Sequence, residues 1–289
     1  MPFDWLFSWF GWLAAWLEKL DRRWLFLIVG VLVMGPLIKP IGVPLGSSKP
    51  VKQFHDAIAA LPEHSIVLMS CDYDPGAKPE MVPMTRTAFR QLMERHCRVV
   101  VTCLWTGGSG LVDQTIEGMA NEMRAQGHDL VYGRDYVDLG YKAGYEAVMV
   151  LMGKGIANAF PQDQRANATA SLPLMHEVKD YSSFVLLVNI AAGYPGTKEW
   201  VQQVNSRFHL PMVSGCTAVS APEYYPYLQS GQLKGLLGGM AGAAEYEKLR
   251  GEKGSATRGM DAQSLAHVFV ALCIVMGNFV QWTKRRAAP

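Results

Sequence analysis

Charge is scarce in this sequence. Only 18% of its 289 residues are Asp, Glu, Lys or Arg, against roughly a quarter in ordinary soluble domains. Neither sign dominates: from Gly46 to Met260 there are 20 Lys and Arg and 21 Asp and Glu. A neutral middle excludes the basic stripe of a nucleic-acid binder, so no nucleic-acid partner is expected. None of the five cysteines forms a C-x-x-C pair or has a His at zinc-ligand spacing, which excludes the common zinc and dithiol motifs. Cys71, Cys103 and Cys216 fall in or beside predicted strands and read as small buried apolar residues, with a catalytic thiol at Cys216 the alternative. The sequence also lacks G-x-G-x-x-G and a Walker lysine, so no nucleotide cofactor is implied. Low-complexity tracts and fixed-period repeats are absent too.

Long apolar runs are plentiful, and they sit at the two ends. Residues 1–22 place Trp5, Trp9, Trp12 and Trp16 at helical spacing beside Leu6, Phe10, Leu13, Leu17 and Leu20. Tryptophan prefers the headgroup level, so this stretch reads as an interfacial amphipathic helix. Asp4 stands where a signal peptide needs positive charge. Residues 23–45 hold an unbroken apolar run from Trp24 to Ile38 and read as a transmembrane helix, although fifteen residues reach only about 22 Å. Residues 261–283 contain the nineteen-residue apolar run Ser264–Trp282, a second transmembrane helix, and residues 284–289 form a basic tail. Two spans put both termini on one side. Arg22, Arg23 and Lys284–Arg286 favour the cytoplasm for the termini, with the domain extracytoplasmic.

Residues 46–260 alternate short apolar runs with helical patterns. The first run, Ser65–Cys71, stops at Asp72-Tyr73-Asp74-Pro75-Gly76 and reads as a strand buried on both faces. Further strands are predicted at Arg98–Trp105, Asp129–Val131, Ser183–Asn189 and Met212–Ser214. Helices are predicted over Val51–Leu61, Pro79–His96, Leu111–Gln126, Gly144–Ala157, Thr197–Phe208 and Gly235–Leu249. Phe160–Pro173 reads as a mobile loop. The fold class that follows is α/β, a Rossmann-like parallel sheet of about five strands with helices on both faces, flanked by the two membrane helices.

In a parallel sheet the turns after the strands share one edge, where such folds bind ligands. Asp72 and Asp74, two apart, could reach one Mg²⁺ or polarise one substrate group; capping of the following turn explains them equally. Backbone donors of Thr106, Gly107, Gly108 and Ser109, at a helix start, suit a small anion, and turn geometry alone also accounts for the glycines. Gly193, Gly215 and Thr217 stand at the corresponding edge positions. Tyr224–Ala244, tyrosine-rich and then glycine-dense, reads either as a self-association surface or as close packing within the chain.

With Asp72-Tyr73-Asp74-Pro75, Tyr136–Tyr141 and Ser230–Tyr246 in view, the chain resembles a prokaryotic family of membrane-anchored α/β proteins without an assigned activity. That resemblance implies no catalytic residue. The expected function is a membrane-anchored subunit of an oligomeric assembly, partnered by the lipid bilayer and by copies of itself or other membrane subunits. A small anionic ligand would bind at the strand edge. The alternative is a membrane-bound hydrolase or transferase using Asp72 and Asp74, with or without a divalent metal.

Overall fold

A computed structural model describes residues 21–42 and 46–287. The predicted interfacial helix over residues 1–22 lies almost wholly outside that range. Two compact units divide the chain: residues 45–256, and residues 1–44 with 257–289.

The larger unit is the α/β domain. Helix α1, Lys49–Ala59, precedes β1, Ile66–Asp72. Then follow α2 (Lys78–Glu94), β2 (Arg98–Cys103), α3 (Ser109–Ala125), β3 (Tyr136–Tyr141), α4 (Glu146–Met152) and α5 (Ile156–Ala159). The second half runs β4 (Leu186–Ala191), α6 (Thr197–Trp200, continued by a π turn at Val201–Asn205), β5 (Met212–Cys216), α7 (Ala221–Gln229), β6 (Leu233–Gly238) and α8 (Gly239–Leu249). All six strands are parallel, in the order β3-β2-β1-β4-β5-β6. That is the doubly wound Rossmann arrangement, and its switch point lies between β1 and β4.

The sequence explains why β1 is central. Its seven residues carry no outward polar face and every one is buried. Alternation then sends Leu68 and Asp72 to the face covered by α4 to α7, and Met69 and Cys71 to the face covered by α1, α2, α3 and α8. On the first face Leu68, Val100, Leu187 and Met212 form one core with Trp200 and Tyr224.

Two strands differ from the sequence reading. The third is Tyr136–Tyr141, not Asp129–Val131. The latter segment has no regular structure and leads into the turn at 133–135, with Asp135 Oδ2 accepting from Val131 N at 2.7 Å. The sixth, Leu233–Gly238, occupies what the pattern assigned to the start of a helix, and α8 begins at Gly239. The strand needs Gly235 because α1 crosses it so closely: a Cβ there would stand 2.2 Å from Phe54 N. Thr197 is the first residue of α6, after Gly196. Phe160–Pro173, expected to move, is tied down by hydrogen bonds to Asp163 and by the bridge between Gln162 and Ala168. Thr169, within it, is fully buried.

The smaller unit contains α9, Arg22–Ile38, and, from residue 257 on, most of α10, Ser255–Ala287. The expectation of two flanking spans needs correction. Among the described residues one helix, Ser255–Trp282, is long and apolar enough to cross a membrane, and α9 is too short to meet the same length. Pro36 lies near its end and Lys39 closes it with an N–H to Gly35 O. Within this unit Asp261 Oδ2 accepts from Ile41 N at 2.8 Å and from Gly42 N at 2.7 Å, so a buried carboxylate ties the segment after α9 to the first turns of α10.

Candidate functional site

The carboxyl edge of the sheet is the place to look, and Asp72 stands at its centre. Its carboxylate is closed in on every side. Oδ2 accepts from Ser70 Oγ (2.6 Å), Trp200 Nε1 (2.8 Å) and Asn189 Nδ2 (3.2 Å), and Oδ1 accepts from Leu104 N (2.7 Å). The side chain is fully buried. Burial pushes its pKa up to about 6, against the pull of these donors. The network continues through Asn189 Oδ1, which accepts from Thr197 Oγ1, to a 2.6 Å hydroxyl pair between Thr197 and Ser214. One polar strip therefore joins β1, β4, β5 and α6 beneath the switch point. Asp72 is a keystone of packing, inaccessible to a ligand.

Asp74 takes a separate role. It caps the short 3₁₀ turn that follows, Oδ1 accepting from Gly76 N at 2.9 Å. The two carboxylates thus serve different loops, and among the described residues no group of three or more His, Cys, Asp or Glu is placed to hold a metal.

The glycines of the next turn are explained by its shape. Gly107 adopts φ +80°, and a Cβ on Gly108 would lie 2.3 Å from Tyr73 O. Thr106 Oγ1 pairs with Tyr141 Oη at 3.0 Å, Gly108 N turns back to Trp105 O, and Ser109 opens α3. Gly193 lies under the Trp105 ring, and Gly215 is inside the core, where a Cβ would meet Met84 Sδ at 2.7 Å. Thr217 Oγ1 donates to Ser220 Oγ, while Ala218 N donates to Glu80 Oε2. Cys216 is fully buried, its thiol raised to about 12 by desolvation and then by Glu80; that removes it as a nucleophile. His176, an imidazole that a thiol nucleophile could use as a base, bonds Ala170 O.

What the edge does expose is aromatic. Tyr145 and Tyr194 face each other with ring centroids 5.4 Å apart, and Tyr194 Oη donates to the Glu146 carboxylate at 2.8 Å. Tyr145 holds φ +49°, a strained value for a residue with a Cβ. Sequence reading missed this pair, and also Ser70, Asn189 and Trp200. A polar residue inside an otherwise apolar strand, such as Asn189, was the available signal.

No protein-family model and no curated protein matches the sequence. Among solved structures, a UDP-forming α,α-trehalose-phosphate synthase from Burkholderia vietnamiensis is similar at 13% identity and TM-score 0.34, over 90% of this chain and 50% of that one. A Burkholderia multivorans α,α-trehalose 6-phosphate synthase gives 15% and 0.33, over 90% and 48%. An E. coli trehalose-6-phosphate protein bound with UDP-2-fluoro glucose gives 12% and 0.31, over 86% and 50%. The chain spans about half the length of the solved structures it matches. Identities and TM-scores this low transfer nothing about substrate or reaction.

Proposed function

We propose that this chain is a membrane-anchored Rossmann-like subunit, held in the bilayer by α10 and working in an assembly of like or different membrane subunits. The observation that carries the reading is the Ser255–Trp282 helix, whose most apolar eighteen-residue window has a mean hydropathy of 1.7 and no buried residue. Those eighteen residues reach about 27 Å, close to the hydrocarbon thickness of roughly 30 Å. Val268, Leu272, Ile274 and Val275 are each more than half exposed, as are Phe26, Val31 and Ile38 on α9. Lipid is the solvent that suits such surfaces.

The finer reading places α9 in the membrane beside α10. Seventeen residues reach only about 25 Å, so α9 depends on the Asp261 tie and on the apolar residues that follow it. Asn278 and His267, polar and exposed on an apolar helix, favour contact with another helix. A hydrolase or transferase mechanism built on Asp72 finds no support in a carboxylate sealed by four donors.

The test is extraction from membranes. The full chain is expected to stay with the bilayer through an alkaline carbonate wash. Leu272→Arg with Val275→Arg should release it, each charge costing about 3 kcal/mol at mid-span. Wild-type chain washing off freely would remove the proposal.

A further inference from the structure

Beside the carboxyl end of β3 lies a cleft of about 570 Å³, within the roughly 300–1,000 Å³ range of small-molecule sites. One wall is β3 and the residues after it, and the other is the segment 159–168. The second wall is built before any ligand arrives. Asp163 holds it, accepting from Tyr132 Oη, Asn167 Nδ2 and the N–H groups of Arg165 and Asn167. Gln164 N donates to Asp138 O, and Thr169 N to Pro161 O. Gly140, at φ +73°, lets Gln164 close over the strand: a Cβ there would stand 2.3 Å from Gln164 Oε1.

The charges around the cleft are unequal in availability. Burial alone would raise the Asp163 carboxyl, but its hydrogen bonds, led by Asn167, outweigh this and hold it below the usual range. It is therefore ionised, and each of its oxygens already accepts two hydrogen bonds, leaving no capacity for a cation. Arg165 is committed to Glu117 and stacks over the Tyr132 ring, 3.5 Å from its centroid. Asp138 is buried away from the cleft, its carboxyl raised to about 7 by desolvation, with Asp113 and Asp163 adding to the rise. Lys142 lines the cleft and has no ion-pair or hydrogen-bond partner for its ammonium among the described residues. The side-chain amides of Gln162 and Gln164 are likewise unpaired. Pro161 and Ala168, both exposed, supply a small apolar surface beside them.

We infer that this cleft binds a small ligand carrying one anionic group, paired with Lys142, and an apolar part laid against Pro161 and Ala168. Gln162 and Gln164 donate to the anionic group or to a hydroxyl beside it. The anion is a carboxylate or a phosphate ester, since a single ammonium with two amide donors serves either. This differs from the strand-edge anion position expected at Thr106–Ser109, where the glycines are used for turn geometry. It is also independent of the membrane reading, so either can fail alone.

The test titrates the full chain, in detergent micelles, with benzoate and with phenyl phosphate, using benzamide as the uncharged control. Binding is followed by ligand-observed NMR and by calorimetry. One anionic probe is expected to bind at roughly millimolar Kd or better, with benzamide at least about tenfold weaker. Preference for benzoate identifies a carboxylate ligand, and preference for phenyl phosphate a phosphate ester. Lys142→Met should weaken the preferred probe about tenfold or more, and Lys142→Arg should restore most of the loss. Lys142 is partly exposed and unpaired, so neither variant disturbs folding. The inference is overturned if neither anion binds at roughly 10 mM, if benzamide binds as well as the anions, or if Lys142→Met binds like the wild type.

Discussion

Asp72 shows how a residue that looks chemical can be structural. Four donors from β1, β4, α6 and the loop after β2 converge on it. Asp72→Ala leaves all four buried without an acceptor and should cost at least about 3 kcal/mol, read from thermal or denaturant melts in detergent. Its pH behaviour is distinctive. The folded pKa, about 6, lies above the ordinary 3.8, so the contribution from this carboxyl is fully present below 3.8 and is lost as pH rises through about 6. Against Asp72→Asn, wild-type stability should therefore fall between those values by on the order of 3 kcal/mol. A flat difference between the two proteins across that window would contradict the buried carboxylate described above. The neighbouring glycines separate by mechanism. Gly107→Ala meets only a left-handed backbone and should cost about 1–2 kcal/mol. Gly108→Ala forces a Cβ onto Tyr73 O and should cost more, about 2–3 kcal/mol.

At the scale of elements, what could be read in the sequence follows from burial. β1, β2, β4 and β5 are near-continuous apolar runs because both sheet faces cover them, and the pattern locates all four. β3 and β6 lie at the sheet edges and read differently. Tyr136-Val-Asp-Leu-Gly-Tyr141 is broken by a carboxylate and by a glycine that exists to admit Gln164, while Leu233-Lys-Gly-Leu-Leu-Gly238 has leucine spacing that also suits a helix. The site was less legible than the sheet. Asn189 and Trp200 reach Asp72 across 117 and 128 residues, and no local pattern encodes such a pairing. The π turn in α6 is similarly silent in sequence. The close crossing of α1 over β6 yields a prediction of its own. Gly235→Ala should drive α1 off the sheet, and amide exchange over Lys49–Ala59 should quicken more than exchange in β1. Equal change in both would mean that the glycine serves the strand alone.

For the molecule as a whole, a neutral α/β domain is joined to apolar helices many of whose side chains, among the described residues, are exposed. On the membrane reading proposed above, lipid is their counterpart. It also gives a measurable expectation: with the bilayer replaced by detergent, native mass measurement should report more than one copy or a persistent lipid complement, through the face bearing Asn278. A bare monomer stripped of lipid would argue against the assembly.

The strand order has a consequence for synthesis. β1 is made first and lies in the middle, yet one of its two neighbours, β4, is made only after β2, β3 and the long crossing that follows them. A growing chain that has reached residue 180 holds a three-stranded half-sheet with Val67, Leu68 and Met69 along an unpaired edge, and an Asp72 that has met only Ser70 and Leu104. Such edges invite pairing with other chains. The half-made protein is thus at its most adhesive until β4, ending at Ala191, covers that edge, and Trp200 then gives the buried carboxylate its last donor.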